Sequence, residues 1–387
     1  MYDRFIDINL PPGQAGFLWG PRQIGKSTFL QARFPDSLWL DMLDTELQLG
    51  LSRRPGTIRE IIAAAPPHQR RKPIIIDEVQ KVPLLLDEVH WLIENRKLSF
   101  LLCGSSARKL KGGRANLLGG RAWRYEMFPL VSAEVPDLDL LRALTHGLMP
   151  SHYQSARPNR SLYSFVRDYL REEIAAEALA RNLAAFAKFL DLVGIMNSEM
   201  VNYAKIAADV GVDAKSVRSY FSILEDTMLG SFLPPFDNKQ GRKQLVATPK
   251  FYLFDPGVAR TLRMTTIHSV SGPEAGHLFE TFLLNELRAY RAYHDLQTPL
   301  TFYRTRDGAE VDFIIGKGEV AIEAKISDRV RTADLRSMTS FLGEHPRSRA
   351  IVVTQEPRKR VIDLGGKRVE IHPWRVFCDE LWAGTIF

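Results

Sequence analysis

The sequence predicts a multidomain α/β chain: an open parallel sheet first, then a helical stretch, then a mixed-sheet domain. Three observations carry this expectation. The chain has 387 residues, more than one ordinary hydrophobic core accommodates. Short apolar runs come first, and one of them, Ala15-Gly16-Phe17-Leu18-Trp19, leads directly into a glycine-punctuated loop. Helical spacing then sets in beyond residue 160, and strand-like segments return beyond residue 300. With 45% hydrophobic and 25% charged residues, the totals are those of an ordinary globular protein. No apolar run is long enough to span a bilayer, so no membrane partner is expected. The start, Met1-Tyr2-Asp3-Arg4-Phe5, lacks the basic-then-apolar layout of a secretory signal. Cys103 and Cys378 make neither a disulfide framework nor a metal cluster, which points to a reducing cytoplasm. A formal charge of +7 permits a polyanionic partner without requiring one.

Residues 20–28 read Gly20-Pro21-Arg22-Gln23-Ile24-Gly25-Lys26-Ser27-Thr28, the full G-x-x-x-x-G-K-[ST] pattern. Between a buried strand and the start of a helix, such a loop wraps its backbone N–H groups around a β-phosphate, and the helix N-terminus adds partial positive charge. Lys26 would reach the β- and γ-phosphates, and the Ser27 hydroxyl would ligate Mg²⁺. ATP with Mg²⁺ is therefore the expected ligand. A simple glycine turn accounts for the glycines but not for the strand, the spacing and the Lys-Ser pair together.

Further strands are expected at Ser37-Leu38-Trp39-Leu40-Asp41 and at Lys72-Pro73-Ile74-Ile75-Ile76-Asp77-Glu78. The second is apolar on both faces, as in a parallel sheet covered by helices. Its C-terminal end opens onto the edge where ligands of such sheets sit. Asp77 there would hold the Mg²⁺ shell, and Glu78 would orient or deprotonate the attacking water. Acids at a strand end also cap helices; the phosphate loop upstream favours the catalytic reading. The strand Leu98–Gly104 ends in Ser105-Ser106, and Ser105 either senses the γ-phosphate or caps the next helix.

This succession resembles the AAA+ ATPases, and within them the bacterial and archaeal proteins carrying GPRQ-x-GK[ST], a D-E-[VI]-Q box and a G-S-S strand. Here these are Gly20 to Ser27, Asp77-Glu78-Val79-Gln80 and Gly104-Ser105-Ser106. Gly120-Arg121 and Met127-Phe128-Pro129-Leu130 match a further segment. The resemblance implies ATP hydrolysis in residues 1–150 and a helical lid over 151–198. It also implies that Arg121 is an arginine finger supplied across a homo-oligomer, with Arg114 as rival and a solvated arginine as the plain alternative.

Residues 203–222 place Ala207, Gly211 and Val217 at helix-turn-helix spacing: a small residue, a tight turn and an apolar lock. A winged helix over 199–246 is expected, with Lys215, Ser216, Arg218 and Ser219 on the outer face and the basic run 239–243 as its wing. That face would meet nucleic acid, DNA above all, or else pack against protein.

In the remaining segment, 247–387, a hairpin over 309–315 and 320–326 with a two-residue loop at 317–318 would set Asp312 opposite Glu323 and Glu310 opposite Lys325. All four would share one face, with Val311, Phe313, Ile322 and Ala324 on a core face. Facing carboxylates repel by roughly 0.2–1 kcal/mol, which a second Mg²⁺ or a Mn²⁺ would offset. A Glu310–Lys325 surface pair with two solvated acids is the alternative. The pattern resembles the PD-(D/E)XK nucleases, which end some proteins of the same ATPase family. The resemblance implies that Glu280, Asp312, Glu323 and Lys325 form the site, the three acids holding metal. Together these readings give a Mg²⁺-dependent ATPase coupled to nucleic-acid binding and DNA cleavage. The alternative is a signalling or interaction ATPase whose nuclease-like domain binds protein.

Overall fold

The computed structural model describes residues 2–105, 118, 122–169, 182–237 and 245–387. They fall into two compact units, one of Asp3–Phe128 with Asp226–Leu229, the other of Pro129–Glu225 with Gly230–Phe387. Arg114, Arg121 and the run 239–243 lie outside the described residues.

In the first unit, β1 (Ala15–Trp19), β2 (Trp39–Asp41), β3 (Ile74–Asp77), β4 (Phe100–Gly104) and β5 (Ala122–Glu126) form one sheet in the order β2-β3-β4-β1-β5. Every pairing is parallel. The apolar runs explain why: β1, β3 and β4 are buried along their whole length, so the sheet must be covered on both faces. Phe17 and Trp19 stack at 5.2 Å within a core that also takes Ile74, Ile76 and Leu102. With all strands parallel, Trp19, Asp77 and Gly104 end at one edge.

The second unit contains an antiparallel ribbon, β6 (Gly230–Leu233) with β7 (Lys250–Leu253). Its larger sheet comprises β8 (Leu300–Arg304), β9 (Glu310–Ile315), β10 (Val320–Ala324), β11 (Arg349–Thr354), β12 (Arg360–Asp363) and β13 (Arg368–Pro373). The order is β12-β13-β11-β10-β9-β8, with β10–β11 and β11–β13 parallel and the other pairs antiparallel. An aromatic nucleus ties the helical part to the ribbon. The Phe221 ring lies 4.9 Å from Phe189, 5.3 Å from Phe232 and 4.8 Å from Phe251.

Helices Tyr203–Val210 and Ala214–Asp226 are joined by a short turn in which Gly211 adopts φ +81°, a conformation that favours glycine. Val217 is fully buried, while Lys215 and Arg218 are exposed. Ser216 is committed locally: its backbone N–H and its hydroxyl both donate to Asp213, at 2.9 and 2.8 Å.

The β9–β10 register pairs Ile315 with Val320 and Phe313 with Ile322, as the hairpin reading requires. Its connection is longer than expected, however, because Gly316 and Gly318 both turn with positive φ and strand pairing stops at Ile315 and Val320. The expected Glu310–Lys325 pairing does not form. Glu310 meets Arg304 and Lys250, and the Lys325 backbone N–H donates to Val353 O at 2.9 Å. Nor is there one core face, since Ile314 and Ala321 are as buried as Phe313 and Ile322. Helix Arg336–Glu344 supplies Met338, Phe341 and Leu342 against Val311, Ile314 and Ala321. Val311 and Ile314 can share that cluster because β9 bulges: Thr301 faces Ile314 while Tyr303 faces Val311, which leaves Asp312 and Phe313 opposite Phe302 alone.

Asp255 holds the second unit together at one point. Its Oδ1 accepts from Val258 N at 3.0 Å, capping helix Pro256–Leu262, and its Oδ2 accepts from Leu148 N at 2.6 Å. Burial raises its pKa to about 6 against the pull of these donors. Gly147 is needed there, because a Cβ would lie 2.1 Å from Asp255 Oδ1. Asp255→Ala strands two buried donors and removes a cap. It should cost roughly 2–4 kcal/mol in denaturant unfolding, with Asp255→Asn costing less.

Candidate functional site

At the C-terminal edge of the parallel sheet, β1 ends at Trp19 and the chain bends through residues 20–25 into helix Lys26–Arg33. The bend depends on its glycines. A Cβ on Gly20 would lie 2.5 Å from Met127 O, and Gly25 sits at φ 91°. Gln23 also has positive φ, at 63°, and its side chain and that of Thr28 are exposed. Pro21 and Ile24 are buried, and the Arg4 guanidinium donates to Ile24 O at 2.7 Å, bracing the loop from behind.

Lys26 is only 6% exposed. Its Nζ donates to Gly20 O and Pro21 O, each at 2.8 Å. Burial lowers its pKa even though Cys103, Glu78 and Asp77 pull the other way. Its direct partners are neutral carbonyls, and Asp77 and Glu78 offset the burial only in part, so the ammonium charge is incompletely matched. Ser27 Oγ donates to Asp77 Oδ2 at 2.6 Å, so the end of β3 and the start of the helix meet at two hard oxygens. These two residues fit a magnesium ion, which favours hydroxyl and carboxylate oxygens.

Glu78 follows in a left-handed conformation, φ 53° and ψ 42°, uncommon for a residue with a side chain. Its carboxylate is held by the Gln80 side-chain amide, which also lies 3.3 Å from Ser105 Oγ. Ser105 Oγ is 3.5 Å from Glu78 Oε2 and 3.4 Å from Arg22 Nε. The structure thus brings Arg22, Lys26, Ser27, Asp77, Glu78 and Ser105 to one edge. Gln80 enters the sequence reading only as the last residue of the Asp77-Glu78-Val79-Gln80 box, without a role; the structure gives it one, as the side chain that holds Glu78.

In the second unit, Glu280 projects from helix Gly272–Tyr293, Asp312 from the β9 bulge and Glu323 from β10. Asp312 Oδ2 accepts from Ala324 N at 2.9 Å, and Lys325 Nζ lies 2.8 Å from Glu323 Oε1. Tyr252 donates to Glu280 Oε2 at 3.2 Å. The unexpected member is Lys250, on β7 and 4% exposed. Its Nζ lies 3.6 Å from Glu280 Oε2 and 3.6 Å from Asp312 Oδ1, and it is ion-paired with Glu310, which Arg304 meets from the other side. The Phe302 ring closes over the ammonium at 5.5 Å. Burial alone would depress the lysine, yet Tyr252, Glu280, Asp312 and Glu310 together raise its pKa well above the usual value.

Glu280 and Glu323 are both pushed up, first by burial and then by the charge of Asp312. A divalent cation does not fit these residues as they stand. Among the described residues no group of His, Cys, Asp or Glu is spaced to hold a metal. Glu323 Oε2 is buried without a hydrogen-bond partner, but Lys325 neutralises its other oxygen and Lys250 fills the space between Glu280, Glu310 and Asp312.

Residues 13–135 match a family model described as "AAA domain". Residues 137–269 match a domain of unknown function, DUF8612, and residues 275–374 match another, DUF4143. The first match supports an ATP-binding AAA-type domain over the segment that contains the parallel sheet. No curated protein matches the chain. Among solved structures, one similar chain is a Signal Transduction ATPase with Numerous Domains from Pyrococcus horikoshii, described with a tetratricopeptide repeat sensor. It is 15% identical over 73% of this chain and 46% of its own length, with a TM-score of 0.20. The chain therefore spans less than half the length of that protein, and a likeness so low carries no argument about fold or function.

Two variants separate charge from chemistry at the first site. Lys26→Met should abolish ATP binding, measured by calorimetry, while unfolding at no lower denaturant concentration, because it removes a buried, poorly compensated charge. Glu78→Gln should leave binding intact and slow phosphate release by roughly 10²–10⁴-fold.

Proposed function

We propose that the chain binds ATP with Mg²⁺ at the edge of its parallel sheet, hydrolyses it, and uses nucleotide state to control nucleic-acid binding by its C-terminal part. The observation that carries the nucleotide reading is the Ser27–Asp77 contact of 2.6 Å beside a buried Lys26. Ser27 and Asp77 would hold the ion, which when bound spreads the negative charge of the phosphates. Lys26 would exchange its carbonyl partners for phosphate oxygens, a stronger, charge-assisted contact. Backbone N–H groups of residues 20–25 would line the phosphates. Glu78, steadied by Gln80, would orient a water molecule and take its proton. Ser105 is read as the γ-phosphate sensor. Arg121 is read as the finger reaching a neighbouring copy of the chain. The domain reading stays as the sequence suggests: ATPase core 1–150, lid 151–198, winged helix 199–246 and nuclease-like domain 247–387.

For nucleic acid, the supporting feature is the exposed pair Lys215 and Arg218 on helix Ala214–Asp226. Phosphate contacts release counterions, so affinity should fall steeply with salt. In mobility-shift titrations over a salt series, the double variant Lys215→Ala/Arg218→Ala should reduce the slope of log affinity against log salt by about 1–2. Absence of any salt-dependent DNA affinity in the unmodified chain would overturn this part.

A second reading has specific support. Ser216 is spent on Asp213, Arg218 lies over the Tyr203 ring at 5.0 Å, and Lys250 fills the acidic cluster. These features favour an interaction ATPase whose nuclease-like sheet is a binding scaffold without cleavage. Incubation with Mg²⁺ or Mn²⁺ then leaves supercoiled and linear DNA intact for the unmodified chain and Asp312→Asn alike. Cleavage that Asp312→Asn removes would defeat the scaffold reading.

A further inference from the structure

We propose that Lys250 is a tethered counter-ion that takes the place of a divalent cation among Glu280, Glu310 and Asp312, closing the C-terminal acidic cluster to metal. The inference rests on reading that sheet as a non-cleaving scaffold and adds the cause. Three facts converge. The ammonium is within 3.6 Å of both Glu280 Oε2 and Asp312 Oδ1 and paired with Glu310, so it sits where the carboxylates converge. It is placed rigidly, because β7 is paired with β6 and residue 250 also bridges to Met200. Finally, the local charges nearly balance without any added ion. Four carboxylates, Glu280, Glu310, Asp312 and Glu323, face the cations Lys250, Arg304 and Lys325.

An entering divalent cation would have to expel the ammonium from a pocket roofed by Phe302, with no other anion in the contacts of Lys250 to receive it. Removing the lysine side-chain charge reverses the situation. Glu280, Glu310 and Asp312 then lose the cation they share. Their oxygens are not spaced for a metal while the ammonium stands among them, and with it gone they would close on Mg²⁺ or Mn²⁺, which take such hard oxygens.

The test is a Mn²⁺ titration of the full chain without nucleotide, read by electron paramagnetic resonance and by thermal unfolding. Asp77→Asn serves as the background that silences the first site. In that background the chain with Lys250 should bind no Mn²⁺ that Asp312→Asn removes, and its melting temperature should not move with Mn²⁺. Lys250→Met should melt lower, gain one Mn²⁺ at least tenfold tighter than any surface binding, and recover melting temperature as Mn²⁺ is added. Lys250→Arg should exclude Mn²⁺ as lysine does. Tight Mn²⁺ binding that requires Asp312 while Lys250 is present overturns the proposal, as does a folded Lys250→Met chain that takes up no ion. If Lys250→Met does not fold, the Lys250 chain compared with Asp312→Asn and Lys250→Arg decides alone. A chain that binds Mn²⁺ yet cuts no DNA would defeat this inference and leave the scaffold reading standing.

Discussion

Burying an ammonium group away from water is costly unless anions or strong dipoles surround it, and among its described residues the chain does so twice. Lys26 and Lys250 are almost equally hidden, yet they are shifted in opposite directions. Lys26 has two carbonyls and a depressed pKa; Lys250 has carboxylates on several sides and a raised one. The difference lies in what each position still lacks. At the first, Asp77 and Glu78 offset the burial only in part, and a phosphate would supply the rest. At the second, nothing is missing.

The same reasoning links local backbone to chemistry at the first site. The loop closes only because Gly20 admits Met127 O, and Gly104 admits the Gln80 side chain at a distance no Cβ would tolerate. That second close approach is what allows Gln80 to reach both Glu78 and Ser105. Gly20 thus serves the phosphate loop, while Gly104, at the end of the strand that carries Ser105, makes room for the contacts of Gln80 with Glu78 and Ser105. The left-handed backbone of Glu78 belongs to the same arrangement, since it turns the chain so that Gln80 faces back toward the carboxylate.

Much of this was legible beforehand. The strand-loop-helix at 15–33, the placement of Asp77 beside Ser27 and the β9–β10 register all follow from pattern and spacing, because each depends on neighbours in sequence or on one strand alternation. Lys250 was not legible. A lysine opening an apolar strand reads as a solvated edge residue, and its partners come from a helix and a strand far along the chain. The β9 bulge was hidden for a related reason: it is defined against β8, and no residue in Val311-Asp312-Phe313 announces it. Alternation alone therefore assigned a single core face where two are buried. The cytoplasmic expectation stays with the sequence; the structure adds that no described helix is long and apolar enough to cross a membrane.

The junction at Gly147 and Gly257 has a consequence for how the second unit can move. A Cβ on Gly257 would lie 2.5 Å from Gly147 N, and the Asp255 carboxylate is shared between the two segments. Two backbones in such close contact, pinned by one buried acid, cannot slide or open by small steps. Any bend within this unit must fall elsewhere, and segments 146–149 and 255–258 would travel as one piece.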